Sequence, residues 1–270
     1  MIMGRNMNLL SQEQVEQYKN DGYLLVKNII PLNAIKDVID AVAYTIELEL
    51  LAQGKTNYDK SELLHKELIN LKREKPKSSS WIYQTINASW NLKKLLALPE
   101  IEQAVMDLLN VDTPLKLGTV SPAIRFDIPG DTRNVRTWHQ DSSYFLECKR
   151  GEDALVVWLP LNKATKENGS VIMCPGTHKN GRFDNRHEAG GFGVKSEQYT
   201  TPEHFIEGKE LVYVEAEAGD IAFINMDLIH SSGVNVSDMV RYTAQIRFNN
   251  ISVPEYRPVF LRPEYPEYER

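Results

Sequence analysis

The spacing of apolar residues changes along this chain, and that change constrains the fold more than any other feature. Before about residue 115, apolar residues recur every three or four positions, as on one face of a helix. Beyond it they form short runs or alternate with polar residues, the pattern of β-strands. The predicted strands are 120–128, 154–161, 170–173, 211–214, 220–225 and 240–248. Short strands bounded by turn residues, without helices long enough for parallel crossovers, indicate an antiparallel jelly roll.

The first part of the chain is predicted to be helical and to pack against this core. Ser11 and Gln14 form a capping-box pattern that opens a helix ending at Asp21-Gly22. A long amphipathic helix follows Pro31, and another begins after Pro99. The apolar stripe of the long helix comprises Ile35, Val38, Ile39, Val42, Ile46 and Leu50.

A chain of 270 residues suits one domain. We expect a helical part at about 1–114, a jelly-roll core at about 115–250 and a tail at 251–270. Segment 179–210 contains Gly181, Gly190, Gly191 and Gly193 and no clear periodicity, so an irregular functional or disordered loop is expected there.

Composition excludes several classes of function. The net charge of −6 and the pI near 5.6 argue against nucleic acid as a partner, because a phosphate-binding surface is basic. No apolar run reaches the roughly 18 residues of a membrane span, and residues 1–10 lack a signal-peptide core. The two cysteines form no disulfide framework, which favours a reducing compartment. We expect a cytoplasmic monomer or homodimer that acts on a small molecule.

The chemistry points to residues around Thr137-Trp138-His139-Gln140-Asp141. On a strand, His139 and Asp141 would face the same side and could reach one ion. Two histidines and one carboxylate, with three positions left open, hold the iron of non-haem iron(II) oxygenases. Alone, His-x-Asp is a weak signal that often arises by chance, and a surface or core hydrogen bond is the favoured explanation. His230, which follows the predicted strand 220–225, supplies the second histidine.

The last predicted strand alternates along its whole length. Its apolar face would comprise Val240, Tyr242, Ala244, Ile246 and Phe248, and its polar face Arg241, Thr243, Gln245 and Arg247. A polar face is unremarkable where it meets solvent. In a barrel that carries a metal, it is suited to line a polar interior.

These motifs together resemble the phytanoyl-CoA dioxygenase family. The resemblance runs from "EQVEQYKNDGYLLVKNIIP" to about Phe248, and it is densest in "WHQD", "WLPLNKATKENGSVIMCPGTH", "EAGDIAFINMDLIHSSGVN" and "RYTAQIRF". It implies a double-stranded β-helix, a cupin-like form of jelly roll, with iron(II) held by His139, Asp141 and His230.

The resemblance also implies 2-oxoglutarate as cosubstrate. Arg241, eleven residues after His230, matches the arginine that receives the far carboxylate of 2-oxoglutarate. A planar guanidinium suits that task because it can donate two hydrogen bonds to one carboxylate. Ser232 and Trp158 match residues beside the cosubstrate, and Thr243 shares the face of Arg241 by its spacing.

The implied reaction consumes O2 and converts 2-oxoglutarate to succinate and CO2 while an unactivated C–H bond is hydroxylated. Asp141 argues against halogenation, because related halogenases have a small residue there. Desaturation, epimerisation and cyclisation stay open. So does a cupin-like module that holds another metal without turnover, whereas a zinc hydrolase lacks an evident general base.

The primary substrate is not determined by these motifs. Candidate contacts are Tyr144, Arg125, Gln84, Arg247 and Phe192. For Arg125 and Arg247, an ordinary salt bridge is the competing interpretation. Gln140 is expected to support the ligands from behind, and His178 to have a structural or mouth-lining role.

Overall fold

The structure is a computed structural model, and it describes residues 8–132, 135–145, 148, 150–183, 186–189 and 197–258. The described residues form six α-helices and ten β-strands. The helices are α1 Gln12–Asp21, α2 Leu32–Ala52, α3 Leu68–Glu74, α4 Pro76–Ala88, α5 Trp90–Leu96 and α6 Pro99–Leu109. The strands are β1 Tyr23–Val26, β2 Leu117–Asp127, β3 Ala154–Pro160, β4 Val171–Met173, β5 Arg186–Ala189, β6 Glu197–Thr200, β7 Val212–Tyr213, β8 Ile221–Asn225, β9 His230–Ser232 and β10 Arg241–Asn250.

Two antiparallel sheets make up the core. The larger sheet has the strand order β1-β8-β3-β10-β2, and the smaller one has β7-β4-β9. Among the described strands, β5 and β6 form a separate two-stranded sheet. The predicted mainly-β architecture with flanking helices is therefore confirmed.

The two faces of the larger sheet bury different layers. Leu155, Val157 and Leu159 of β3 pack in the cluster that includes α2 and α6. Val156 and Trp158 of the same strand pack in a second cluster, together with Val171 and Met173 of the smaller sheet. Alternation along β3 thus sends one set of side chains towards the helices and the other into the space between the sheets.

Strand β10 follows the same rule, and its polar face is interior. Arg241 and Thr243 are at most 1% exposed, and Arg247 is 8% exposed. The interpretation that this polar face meets solvent is therefore wrong. Because β10 lies between β2 and β3, both of its edges are hydrogen-bonded and its polar side chains are enclosed.

The helical part agrees with the sequence prediction. Both halves of the capping box are present: the backbone N–H of Gln14 donates to the Ser11 hydroxyl, and that of Ser11 donates to the Gln14 side chain. Along α2 the predicted stripe is buried, with Ile39 only partly so. Within the described residues, no helix combines the length and the apolar character needed to cross a membrane.

Segment 179–210 differs from the expectation of an irregular loop. It contains the β5–β6 hairpin, with Arg186 opposite Thr200 and Ala189 opposite Glu197. Backbone pairing between two short strands leaves little trace in a sequence where glycines interrupt any alternation. Phe192, proposed as a pocket residue, lies outside the described residues.

Two neighbouring leucines in α2 provide a test of this packing. Leu50 is fully buried, whereas Leu51 is 48% exposed. We expect Leu50→Ala to lower the free energy of unfolding by about 2–5 kcal/mol, since it leaves a cavity in the core. Leu51→Ala makes the same change of helix propensity and should cost less than about 1 kcal/mol. Equal shifts in chemical denaturation midpoint for the two variants would contradict the assigned orientation of α2.

Candidate metal centre

Two histidines and one aspartate meet between the two sheets, and only one of the histidines, His230, is distant in sequence from the other two residues. His139, Asp141 and His230 each offer one ligand atom, and these atoms lie within 4.8 Å of one another. Nε2 of His139 is 3.5 Å from Oδ1 of Asp141. All three residues are buried, so the protein would shield a bound ion from bulk water on the side where the ligands lie.

A pair of backbone hydrogen bonds sets the two histidines side by side. The N–H of His139 donates to the carbonyl of His230 at 2.9 Å, and the N–H of His230 donates back at 3.0 Å. His230 belongs to β9, but His139 forms only this isolated bridge. Asp141 then opens a 3-10 turn, Asp141–Ser143. The expectation of a strand through both His139 and Asp141 is therefore wrong, although both side chains reach the same point.

Both imidazoles are oriented by a second hydrogen bond. Nδ1 of His139 lies 2.7 Å from the carbonyl oxygen of Thr137, and Nδ1 of His230 lies 2.9 Å from that of Leu228. A carbonyl can only accept, so each Nδ1 carries the proton and each Nε2 presents a lone pair. Burial, with the neighbouring His139, lowers the pKa of His230 to about 4. His230 is therefore a neutral ligand at neutral pH.

Arg247 fixes the carboxylate. Its Nε and Nη2 atoms both donate to Oδ2 of Asp141, at 3.2 and 3.0 Å. Burial raises the pKa of Asp141, but the guanidinium charge outweighs it and holds that pKa well below its usual range. Asp141 is therefore ionised, and Oδ1 is left for a metal.

The donor set fits a divalent metal of the iron type. Two imidazoles and one carboxylate, grouped on one side, match the facial triad that leaves coordination positions open. The open side faces a cavity of about 270 Å³. The cavity is lined by Tyr83, Ser121, Ala123, Arg125, Arg136, His139, Asp141, Tyr144, Phe145, Val156, Trp158, Val171, Ile224, His230, Ser231, Ser232, Gln245 and Arg247.

Several residues that the sequence singled out reach this cavity. Trp158, Ser232 and Tyr144 line it, and the Tyr144 ring packs edge-on against His139 with centroids 5.7 Å apart. Arg125 and Arg247 line it too, and both form salt bridges, with Asp127 and Asp141 respectively.

Gln84 does not reach the metal cavity. It is exposed and lines a separate cavity of about 260 Å³. The neighbouring Tyr83 lines both cavities. In α4 successive side chains point about 100° apart, so Tyr83 reaches the metal cavity and Gln84 does not. Gln84 was chosen from its position in the sequence, which does not show how the helix is rotated.

The structure also shows the contacts of Gln140 and His178, for which supporting or structural roles were predicted. The Gln140 side chain donates to the carbonyls of Asp227 and Gly181 and accepts from the backbone N–H of Phe183, so it braces the ligand loop from behind. His178 contacts the carbonyl of Lys19 through Nε2 and lies outside the metal cavity.

Arg241 lies behind the wall of the cavity. Its guanidinium donates to the carbonyls of Asn168 and Gly169 and to the hydroxyl of Thr243. Nη2 also pairs with Oδ2 of Asp127 at 2.9 Å. Thr243 is likewise absent from the cavity lining. Their role towards 2-oxoglutarate stays a prediction.

Alternation along the last strand placed Gln245 on the face suited to line a polar interior, and Gln245 does line the cavity. Arg136 and Tyr83 were not predicted as cavity residues. Arg136 stands three residues before His139, and its charge beside the ligand motif was an available sign. Tyr83 had no distinctive signal in the sequence.

Comparisons with known proteins agree with this site. The sequence model of the family described as "Phytanoyl-CoA dioxygenase (PhyH)" matches residues 7–243. A "Probable phytanoyl-CoA dioxygenase" of Caenorhabditis elegans is 23% identical over 257 residues, which cover 93% of this chain and 79% of that protein. The human "Phytanoyl-CoA dioxygenase, peroxisomal" is 25% identical over 244 residues, covering 89% and 69%.

Solved structures with similar folds include two enzymes. The non-heme alpha ketoglutarate dependent epimerase SnoN from nogalamycin biosynthesis has a TM-score of 0.60 at 18% identity, covering 93% of this chain and 85% of that one. EctD from S. alaskensis, solved with 2-oxoglutarate and 5-hydroxyectoine, has a TM-score of 0.60 at 17% identity, covering 95% and 84%.

The expected cofactors, iron(II) and 2-oxoglutarate, agree with the donor set and with the family. The matched residues include His139, Asp141 and His230, and they span most of the chain. The chain belongs to the phytanoyl-CoA dioxygenase family.

Proposed function

We propose that this protein is an iron(II)- and 2-oxoglutarate-dependent dioxygenase that hydroxylates an unactivated C–H bond of a small metabolite. Succinate and CO2 would be the coproducts. The observation that carries the proposal is the buried His139, Asp141 and His230 triad, whose open side faces a cavity. We further propose that the two sheets form a double-stranded β-helix within a single catalytic domain, in a cytoplasmic monomer or homodimer.

The chain's own residues would hold the metal and keep its surroundings dry. His139 and His230 bind through Nε2, because Nδ1 of each is committed to a backbone carbonyl. Asp141 binds through Oδ1, while Arg247 holds the other oxygen. Bound iron would supply the oxidation by dioxygen, and apolar walls such as Val156 and Ile224 would limit access of water.

Ser232 and Trp158 are the residues that we propose beside 2-oxoglutarate. Both line the cavity, and the guanidinium carbon of Arg241 is 6.0 Å from the centre of the Trp158 indole ring. Gly169, which accepts from Arg241, packs against Gly233 next to Ser232. Arg241 is therefore near the Ser232 end of the cavity, where a far carboxylate would lie if the cosubstrate extends from the metal.

The size of the cavity favours a small substrate. About 270 Å³ lies just below the usual range for ligand pockets, roughly 300–1,000 Å³. Tyr144, Arg125 and Tyr83 are the polar lining residues that we propose nearest to the substrate.

The first test is turnover of the cosubstrate. Purified protein given iron(II), ascorbate, 2-oxoglutarate and O2 should form succinate, slowly without substrate and faster when a compound from a metabolite panel fits the cavity. His139→Ala should lower the rate by at least about 100-fold, because a metal ligand is lost. His204→Ala, at an exposed histidine outside the cavity, is the matched control. Absence of succinate across the whole panel would contradict the assignment.

A second prediction concerns Arg247. Arg247→Met should weaken metal binding by about 10–100-fold, because Asp141 loses both donors and the charge that keeps it ionised. Titration with cobalt(II), followed by absorption under anaerobic conditions, measures this affinity. Arg125→Met is the matched control, since Arg125 pairs with Asp127 rather than with a ligand. Equal affinities for the two variants would show that Arg247 does not support Asp141.

A third prediction concerns Arg241. Arg241→Ala should raise the KM for 2-oxoglutarate by about 10–100-fold while iron still binds, because charge-assisted hydrogen bonds contribute about 1.5–3 kcal/mol. Asp127 keeps Arg125 as a partner in this variant, so the protein should still fold. Succinate formation against 2-oxoglutarate concentration is the measurement. An unchanged KM would remove Arg241 from the cosubstrate site.

A further inference from the structure

Four arginines lie at or just behind the wall of the metal cavity, and three of them are already paired. Arg247 binds Asp141, and Arg125 and Arg241 share the two oxygens of Asp127. The exposed fraction of each of these three side chains is 15% or less. Each of these three charges therefore already has a carboxylate of the protein as a partner.

Arg136 differs from these three arginines. Its side chain lines the cavity and is only partly buried. Among the residues that the structure describes, no acid lies within ion-pair distance of it. Its guanidinium carbon is 5.8 Å from the centre of the Tyr144 ring, which also packs against His139.

The position of Arg136 relative to the metal is fixed by its backbone. Its N–H donates to the hydroxyl of Ser232 at 2.8 Å, and its carbonyl accepts from the N–H of Ser232 at 3.1 Å. Ser232 is two residues from the ligand His230 in β9. The backbone of Arg136 is thus tied to the strand that carries a ligand, while its side chain is left to bind something else.

The balance of charge around the cavity indicates the kind of ligand that suits Arg136. Four arginines face two buried carboxylates, Asp127 and Asp141, among the described residues. Iron(II) and 2-oxoglutarate carry opposite charges that cancel, so the excess positive charge persists in the loaded enzyme. A partly desolvated guanidinium gains most from a carboxylate or phosphate, to which it can donate two parallel hydrogen bonds.

We propose that Arg136 binds an anionic group, a carboxylate or a phosphate, of the primary substrate. This inference rests on the proposed function and names its substrate class: small anionic metabolites. With the anion on Arg136, the carbon skeleton would lie along Phe145, Val156 and Ile224, on the way to the metal. The hydroxylated carbon would then be set by its distance from the anionic group.

The same chemistry could come from a carboxylate of 2-oxoglutarate, so the test must separate the two sources. The probes are linear carboxylates of four to eight carbon atoms and their primary amides, which match in shape and differ in charge. Binding is measured by equilibrium dialysis on the cobalt(II)-loaded protein under anaerobic conditions, with and without saturating 2-oxoglutarate. We expect at least one carboxylate to bind about tenfold or more tighter than its amide, with 2-oxoglutarate present.

Variants connect this preference to Arg136. Arg136→Gln should abolish the preference for carboxylate over amide, and Arg136→Lys should restore part of it. Arg73→Gln, at an exposed arginine of α3, is the matched control and should keep the full preference. Circular dichroism and cobalt(II) absorption confirm that each variant is folded and holds metal.

Two results would overturn the proposal. If saturating 2-oxoglutarate displaces the carboxylates, Arg136 binds the cosubstrate instead. If no probe distinguishes charge, or if Arg136→Gln keeps the preference, Arg136 anchors no anion. Neither result touches succinate formation by the wild-type protein, whose failure would instead remove the proposed function.

Discussion

The paired backbone hydrogen bonds between His139 and His230 determine the geometry of everything around the metal centre. They continue in the two bonds between Arg136 and Ser232, so the segment before Asp141 runs alongside β9 like a short extra strand. Because β9 pairs with β4, this segment is attached to the smaller sheet. Arg247, by contrast, lies on β10 of the larger sheet. The centre is therefore formed only when the two sheets are packed together.

The ion pair between the two sheets makes their packing specific. Asp141 belongs to the segment beside the smaller sheet and Arg247 to the larger sheet, and each would be costly to bury alone. Their contact at 3.0 Å offsets this desolvation only in the native arrangement of the sheets. The same interaction keeps one carboxylate oxygen directed at the metal position. A single contact thus serves both the alignment of the sheets and the chemistry of the ligand.

The sequence predicted what depends on local pattern and on spacing. Alternation revealed β10 and its polar face. The His-x-Asp motif, with His230 after a predicted strand and Arg241 beyond it, suggested the triad, because both signals are present in the chain itself. It did not reveal that Asp127 pairs with Arg241, since that contact depends on the register between β2 and β10. Nor did it distinguish Tyr83 from Gln84, because the rotation of α4 is set by its packing and not by its own polar residues.

The contact with Asp127 also changes what the burial of Arg241 indicates. In the sequence, Arg241 was expected to receive the far carboxylate of 2-oxoglutarate. In the structure, that arginine already has a carboxylate and two backbone carbonyls, which alone would justify its burial. Catalysis is therefore indicated by the open side of the triad rather than by Arg241. A metal held only for stability needs all its positions filled by protein, whereas three ligands facing a cavity leave room for reactants.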